Sequence, residues 1–92
     1  MDERIKEVIY TKMNEAISKE GIEEIYQILD TLPFIKDKGE LALGIIIGRV
    51  YNSFHYQSRR ILKRDASNEE FKEFISLLSN NIESIKYAIS KI

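Results

Sequence analysis

The sequence predicts an all-α fold, a small antiparallel helical bundle of three long or medium helices and one short one. Apolar residues recur at spacings of three and four along the whole chain, which is the period of a helix face and not of a strand. No run alternates apolar and polar residues over a useful length, and no Asn-Gly or Asp-Gly pair offers a hairpin turn. The breaks between apolar runs carry helix punctuation: Gly21, Pro33, Gly39 and the pair Ser67 and Glu70.

From Asp2 to Lys19, the residues Ile5, Val8, Ile9, Met13, Ala16 and Ile17 fall on one helical face, and Gly21 is expected to end that helix. The segment Ile22 to Thr31 sets Ile22, Ile25, Ile28, Leu29 and Leu32 on a second face. It must stop near Leu32, because Pro33 disfavours helical geometry in its predecessor. Phe34 to Lys38 reads as a connector, after which Gly39 and Glu40 introduce a long helix running to about Arg64. Ser67 followed by Glu70 fits a capping box, in which each side chain satisfies a backbone N–H that the first turn leaves unpaired. The last helix keeps Phe71, Phe74, Ile75, Leu78, Ile82, Ile85, Ile89 and Ile92 on one face.

A chain of 92 residues and 10.8 kDa is one domain, residues 1–92, with no room for a second core. Hydrophobic residues at 43% and charged residues at 32% exclude a disordered tail, a collagen-like repeat and a low-complexity segment. Without cysteine there is no disulfide framework, thiolate zinc site or thiol nucleophile, and one histidine cannot build a multi-histidine metal site from a single chain. No metal and no cofactor are expected. Sixteen isoleucines against two valines, with 11 Glu, 9 Lys and two Gln, match the usage of AT-rich thermophilic genomes and predict a thermophilic archaeal source. The opening Asp2, Glu3 and Arg4 lead into an amphipathic run rather than a signal peptide, and the longest apolar run, Leu41 to Gly48, falls far below the ~20 residues a spanning helix needs. A cytoplasmic location with no membrane partner is expected.

The net charge of −1 hides a division along the chain. Met1 to Asp30 carries 4 basic and 8 acidic residues, Thr31 to Ala66 carries 7 and 3, and Ser67 to Ile92 carries 3 and 4. The middle third is therefore a cationic block, able to attract an acidic partner although the whole chain is slightly acidic. On a helical projection with Arg49 as origin, Ile47, Val50, Tyr51, Phe54, Ser58, Ile61 and Leu62 fall between about 100° and 220° and form the expected core stripe. Within about 80° of Arg49, on the opposite side, lie Asn52, Ser53, Tyr56, Gln57, Arg59, Arg60, Lys63 and Arg64. Such a face is either a solvated surface or a surface that tracks phosphates, with Arg49, Arg59, Arg60, Lys63 and Arg64 on the backbone and Tyr56 available to stack on a base. RNA and single-stranded DNA are the matching nucleic acids.

The first half of the same helix continues this polar back as an apolar one, through Ala42, Ile45 and Ile46. A helix that is apolar all round must be covered all round, either by the short second helix with Phe34 and Ile35 or by another copy of the chain. Gly44 and Gly48 each cost ~1 kcal/mol of helix propensity relative to alanine, which close approach of a second helix would offset. Leu41, Ala42, Gly44, Ile45, Ile46 and Gly48 are thus the expected self-association residues of a homodimer.

His55, the one histidine, sits on the border between core stripe and polar face, one turn from Arg59 and beside Asn52, where the three could bind an anion. Arg49 and His55 also spell R-x5-H within RVYNSFH, which resembles the R-x4-6-H motif of HEPN-domain ribonucleases, small all-α proteins that pair two such motifs across a dimer interface. That resemblance implies His55 as general acid or base at a phosphodiester and Arg49 as the group that stabilises phosphate charge; Val50 stands where the family places a polar residue. The adjacent carboxylates Glu23-Glu24 and Glu69-Glu70 do not face one another on a helix and make no catalytic pair. The resulting expectation is a non-enzymatic helical interaction or assembly module with a nucleic-acid-contacting face. A HEPN-like ribonuclease and a pure protein adaptor within a larger complex are the alternatives.

Overall fold

Asp2, Ser18, Asp37 and Ser67 each place a side-chain oxygen on a backbone N–H of the following turn, and each begins a helix. The computed structural model describes residues 1–91 and holds α1 (Glu3–Ala16), α2 (Lys19–Leu29), α3 (Lys38–Leu62) and α4 (Asn68–Ser90), with no strand among the described residues. The capping box at the head of α4 is present in full: Glu70 N–H donates to Ser67 Oγ at 3.2 Å and Ser67 N–H donates to Glu70 Oε1 at 2.8 Å.

Gly21 does not end the first helix as expected. The chain turns earlier, at Ile17 and Ser18, and Gly21 lies inside the first turn of α2. Ser18 makes that turn possible from both sides, its hydroxyl donating to the Glu15 carbonyl at 2.7 Å and accepting the Gly21 N–H at 3.0 Å. α2 consequently starts so close to the open carbonyls of α1 that a Cβ at position 21 would stand 2.4 Å from the Glu15 oxygen and 2.9 Å from that of Ala16. Glycine is needed there for close approach, not for termination. At its other end α3 stops at Leu62, two residues before Arg64, where Lys63 takes a left-handed conformation (φ 59°) and its N–H bonds the Arg59 carbonyl at 3.1 Å.

α3 spans about 37 Å at 1.5 Å per residue, most of the 41 Å length of the molecule. It is the common neighbour of α1, α2 and α4, whereas α1 and α4 do not pack on one another. A groove lined by Glu3, Lys6, Tyr10, Lys72, Glu73 and Asn80 separates those two helices, and the Met1 ammonium pairs with Glu73 across it. Both α1 and α4 run antiparallel to α3: Arg4 lies near Arg60 and Lys63, the Phe54 and Phe74 rings stack at 4.5 Å, and Gly39 sits beside Ile89.

The buried positions of α3 are Ala42, Ile46, Val50, Phe54 and Ser58, a ladder of steps of four. Each step advances about 40° around the helix, so the buried side turns through about 160° from one end to the other. That rotation explains why the expected stripe is only partly right. Val50, Phe54 and Ser58 are core, but Tyr51 is 43% exposed and Ile47, Ile61 and Leu62 are half-buried. Ser58, the one buried polar side chain among the described residues, donates its hydroxyl to the Phe54 carbonyl at 2.7 Å. On α4, Ile75 proves 46% exposed and Leu77 is buried instead, because α1 lies across the groove on the Leu77 side; Ile92 lies outside the described residues.

Opposite outcomes are expected from alanine at two glycines. Gly21→Ala should cost roughly 1–3 kcal/mol through overpacking against backbone, while Gly44→Ala, whose Cβ would meet nothing within 4 Å, should gain up to ~1 kcal/mol of helix propensity. Urea unfolding of both variants at micromolar concentration measures the difference.

Candidate nucleic-acid interface

The antiparallel turn from α3 into α4 gathers Arg59, Arg60, Lys63 and Arg64, with Arg49 about 15 Å back along α3, and the acidic residues around the turn decide which remain free. Arg64 is held by Glu70, Nη1 to Oε1 at 2.7 Å and Nη2 to Oε2 at 3.3 Å, and Nη1 also donates to the Asp65 carbonyl. The guanidinium of Arg64, with the Ser67 N–H, holds the Glu70 carboxyl down to about 2. Arg59 approaches Asp65 at 3.8 Å in an exposed pair, while Arg60 donates only to the neutral Gln57 side chain, Nε to Oε1 at 3.1 Å. Arg49 and Lys63 make no ion pair among the described residues.

Arg49, Tyr56, Arg60 and Lys63 share one outer face, all within about 40° of Arg49 on the helical projection. Tyr56 is 59% exposed between the cations. α1 adds a residue that the sequence pattern did not single out: Arg4 lines a shallow groove with Glu7, Val8, Arg60, Ile61 and Lys63. It stands with Lys6 in the first turn of α1, and an antiparallel α1 must bring that turn to the far end of α3. Asp2 holds it there, Oδ1 accepting from Nε at 3.1 Å and Oδ2 from Nη2 at 2.9 Å.

His55 occupies a different surface. Its ring is half-buried among aromatics, edge-on to Tyr51 at 4.6 Å between centroids, 5.2 Å from Phe54 and 6.4 Å from Phe71. Arg49 lies about 120° away around α3, so the two residues of the R-x5-H spelling are not brought together within the chain. Asn52 and Arg59 stay exposed on the His55 side, with Arg59 turned toward Asp65.

Of the residues expected at a self-association seam, Ala42 and Ile46 are 0% exposed and belong to the intrachain core, since α1 and α2 cover that side of α3. Leu41 and Gly44 are exposed, and Ile45 and Gly48 are half-buried. A side chain built at Gly44 or Gly48 would meet nothing within 4 Å, so no helix of the same chain approaches either. Among the described residues no three His, Cys, Asp or Glu side chains cluster to hold a metal, and no helix is long and apolar enough to cross a membrane. Comparison with protein-family models, curated proteins and solved structures finds no match to this chain.

The Glu70 carboxyl is held from its ordinary 4.5 to about 2, so the stability it confers is present above pH 4.5 and is lost as pH falls toward 2. Glu70→Ala should lower Tm at pH 7 by about 4–8 °C, the equivalent of ~1 kcal/mol in a domain of this size. The gap between variant and wild type should narrow as both are titrated to pH 2, followed by circular dichroism melts.

Proposed function

We propose that the chain is a non-enzymatic helical assembly module that contacts single-stranded nucleic acid through the outer face of the second half of α3. The observation that carries this reading is the alignment of Arg49, Arg60 and Lys63, exposed and in no ion pair among the described residues, on the face that also presents Tyr56, with Glu7 the one carboxylate lining the groove of Arg60 and Lys63. Arg49 to Lys63 covers about 21 Å of helix, long enough to follow several phosphates, and an exposed tyrosine between the cations supplies a stacking surface indifferent to base identity. Lys63 adds weight because a left-handed C-terminal position favours glycine, and this chain places a cation there. Arg59 and Arg64, tied to Asp65 and Glu70, contribute less than their exposure suggests. A ribonuclease built on His55 draws no support from its ring, which packs against Tyr51 and Phe54 on another side of the helix.

Fluorescence anisotropy with single-stranded RNA and DNA oligomers tests the surface. Binding should show little sequence preference, with log K falling against log salt at about −2 for three phosphate contacts at roughly −0.7 each. Arg60→Glu with Lys63→Glu should weaken every oligomer tenfold or more and flatten that slope, whereas Lys86→Glu with Lys91→Glu on α4 should change little. Lys63→Gly should weaken binding while raising stability by ~1 kcal/mol. No binding near 50 mM salt, or indifference to the Arg60 and Lys63 reversal, overturns the proposal in favour of a protein partner. Cleavage of the oligomers that disappears in His55→Ala overturns it in favour of the ribonuclease.

A further inference from the structure

Gly44 and Gly48 weaken the middle of α3 relative to alanine and have no packing reason within the chain, since both look onto open space. They are the centre of a longer pattern. Asp37, Leu41, Gly44, Gly48, Tyr51 and His55 follow one another at spacings of four, three, four, three and four, a period of 3.5 that keeps all six in one straight strip on the outer side of α3. Leu41 is 36% exposed and Tyr51 43%, large apolar surface flanking the glycine floor. The Asp37 carboxylate caps α3 through Oδ1, which accepts the Glu40 N–H at 2.9 Å, and meets no cation among the described residues.

The strip reads the same in both directions in chemical terms. About the midpoint between Gly44 and Gly48, glycine answers glycine, Leu41 answers Tyr51, and Asp37 answers His55. A strip with that symmetry is complementary to its own copy turned end for end. We infer that two copies of the chain pair through it, α3 antiparallel to the second α3, with the two-fold axis midway between Gly44 and Gly48. Gly44 then faces the partner's Gly48, which lets the two backbones approach closely. Leu41 packs on the partner's Tyr51, and the Asp37 carboxylate meets the partner's His55. The charges select this direction over the parallel one, in which Asp37 and Glu40 would confront their own copies at one end and Arg59 would at the other; antiparallel pairing sets Asp37 and Glu40 beside the partner's His55 and Arg59, while Lys38 is held by Asp30. The strip shares Leu41, Gly44 and Gly48 with the seam expected from sequence, and replaces the half-buried Ile45 and the buried Ala42 and Ile46 by Asp37, Tyr51 and His55. It lies about 100° to 140° around the helix from Arg49, Tyr56 and Arg60, so the pairing stands whether or not that face binds nucleic acid.

Sedimentation velocity between 10 µM and 1 mM reads the association directly, and wild type should run as a dimer over the upper part of that range. Gly44→Leu with Gly48→Leu fills open space in the single chain and removes two helix-interior glycines, so at micromolar concentration the variant should keep its helical circular dichroism and melt no lower than wild type while dimerising at least 100-fold more weakly. Because the chain has no cysteine, engineered thiols report direction. A mixture of Leu41→Cys and Tyr51→Cys chains, oxidised together, should yield chiefly the mixed disulfide, and Leu41→Cys alone should cross-link poorly, since a disulfide needs Cα atoms within about 7 Å. A wild type that is monomeric at 1 mM, a dimer that survives the double leucine variant, or cross-linking dominated by Leu41→Cys with itself overturns the inference.

Discussion

Everything in this molecule hangs on the burial of five residues along α3, from Ala42 to Ser58. Each of the other helices packs on that helix, and α1 and α4 never close over one another, so there is no second core to fall back on. Steps of four in a helix of 3.6 residues per turn make a ridge that winds. Neighbours seated on a winding ridge must arrive from different sides, which is why α1, α2 and α4 surround α3 unevenly and leave one outer sector bare.

The bare sector and the charge pattern are two outcomes of one arrangement. Antiparallel packing sends the first turn of α1 and the first turn of α4 to the same end of α3, so cations and carboxylates from three helices meet there. Asp65 pairs loosely with Arg59, Glu70 holds Arg64, and Asp2 restrains Arg4. Arg49, Arg60 and Lys63 make no ion pair among the described residues and share one outer face of α3 with Tyr56.

Much of this was legible in the sequence. Periodicity identified four helices and the Ser67–Glu70 capping box, because those signals depend on neighbours along the chain. The errors arose where the deciding contact lies elsewhere in space. Gly21 looked like a terminator, but the Ser18 hydroxyl bridges two helix ends across a two-residue turn, and only the approach of the Glu15 carbonyl shows why glycine stands there. Ala42 and Ile46 lay outside the stripe drawn from the second half of α3, since a straight stripe ignores the 40° drift of a ladder of fours. Arg4 was invisible as a neighbour of Lys63 until helix direction joined them. Charge counting placed Arg59, Arg60 and Arg64 on one surface; it took the positions of Asp65 and Glu70 to separate the paired from the free.

The winding ladder also governs how the gene can drift in length. A single residue inserted into α3 ahead of Arg49 rotates everything after it by about 100°, which would drive Arg49, Ser53 and Gln57 into the seats of Val50, Phe54 and Ser58 and misalign three helices at once. The segment from Asp30 to Asp37 and the short joint before Ser67 lie at the surface between helices, where added residues cost only loop entropy. Insertions and deletions should therefore gather at those two joints, and the span from Asp37 to Leu62 should keep its length while its surface composition changes freely.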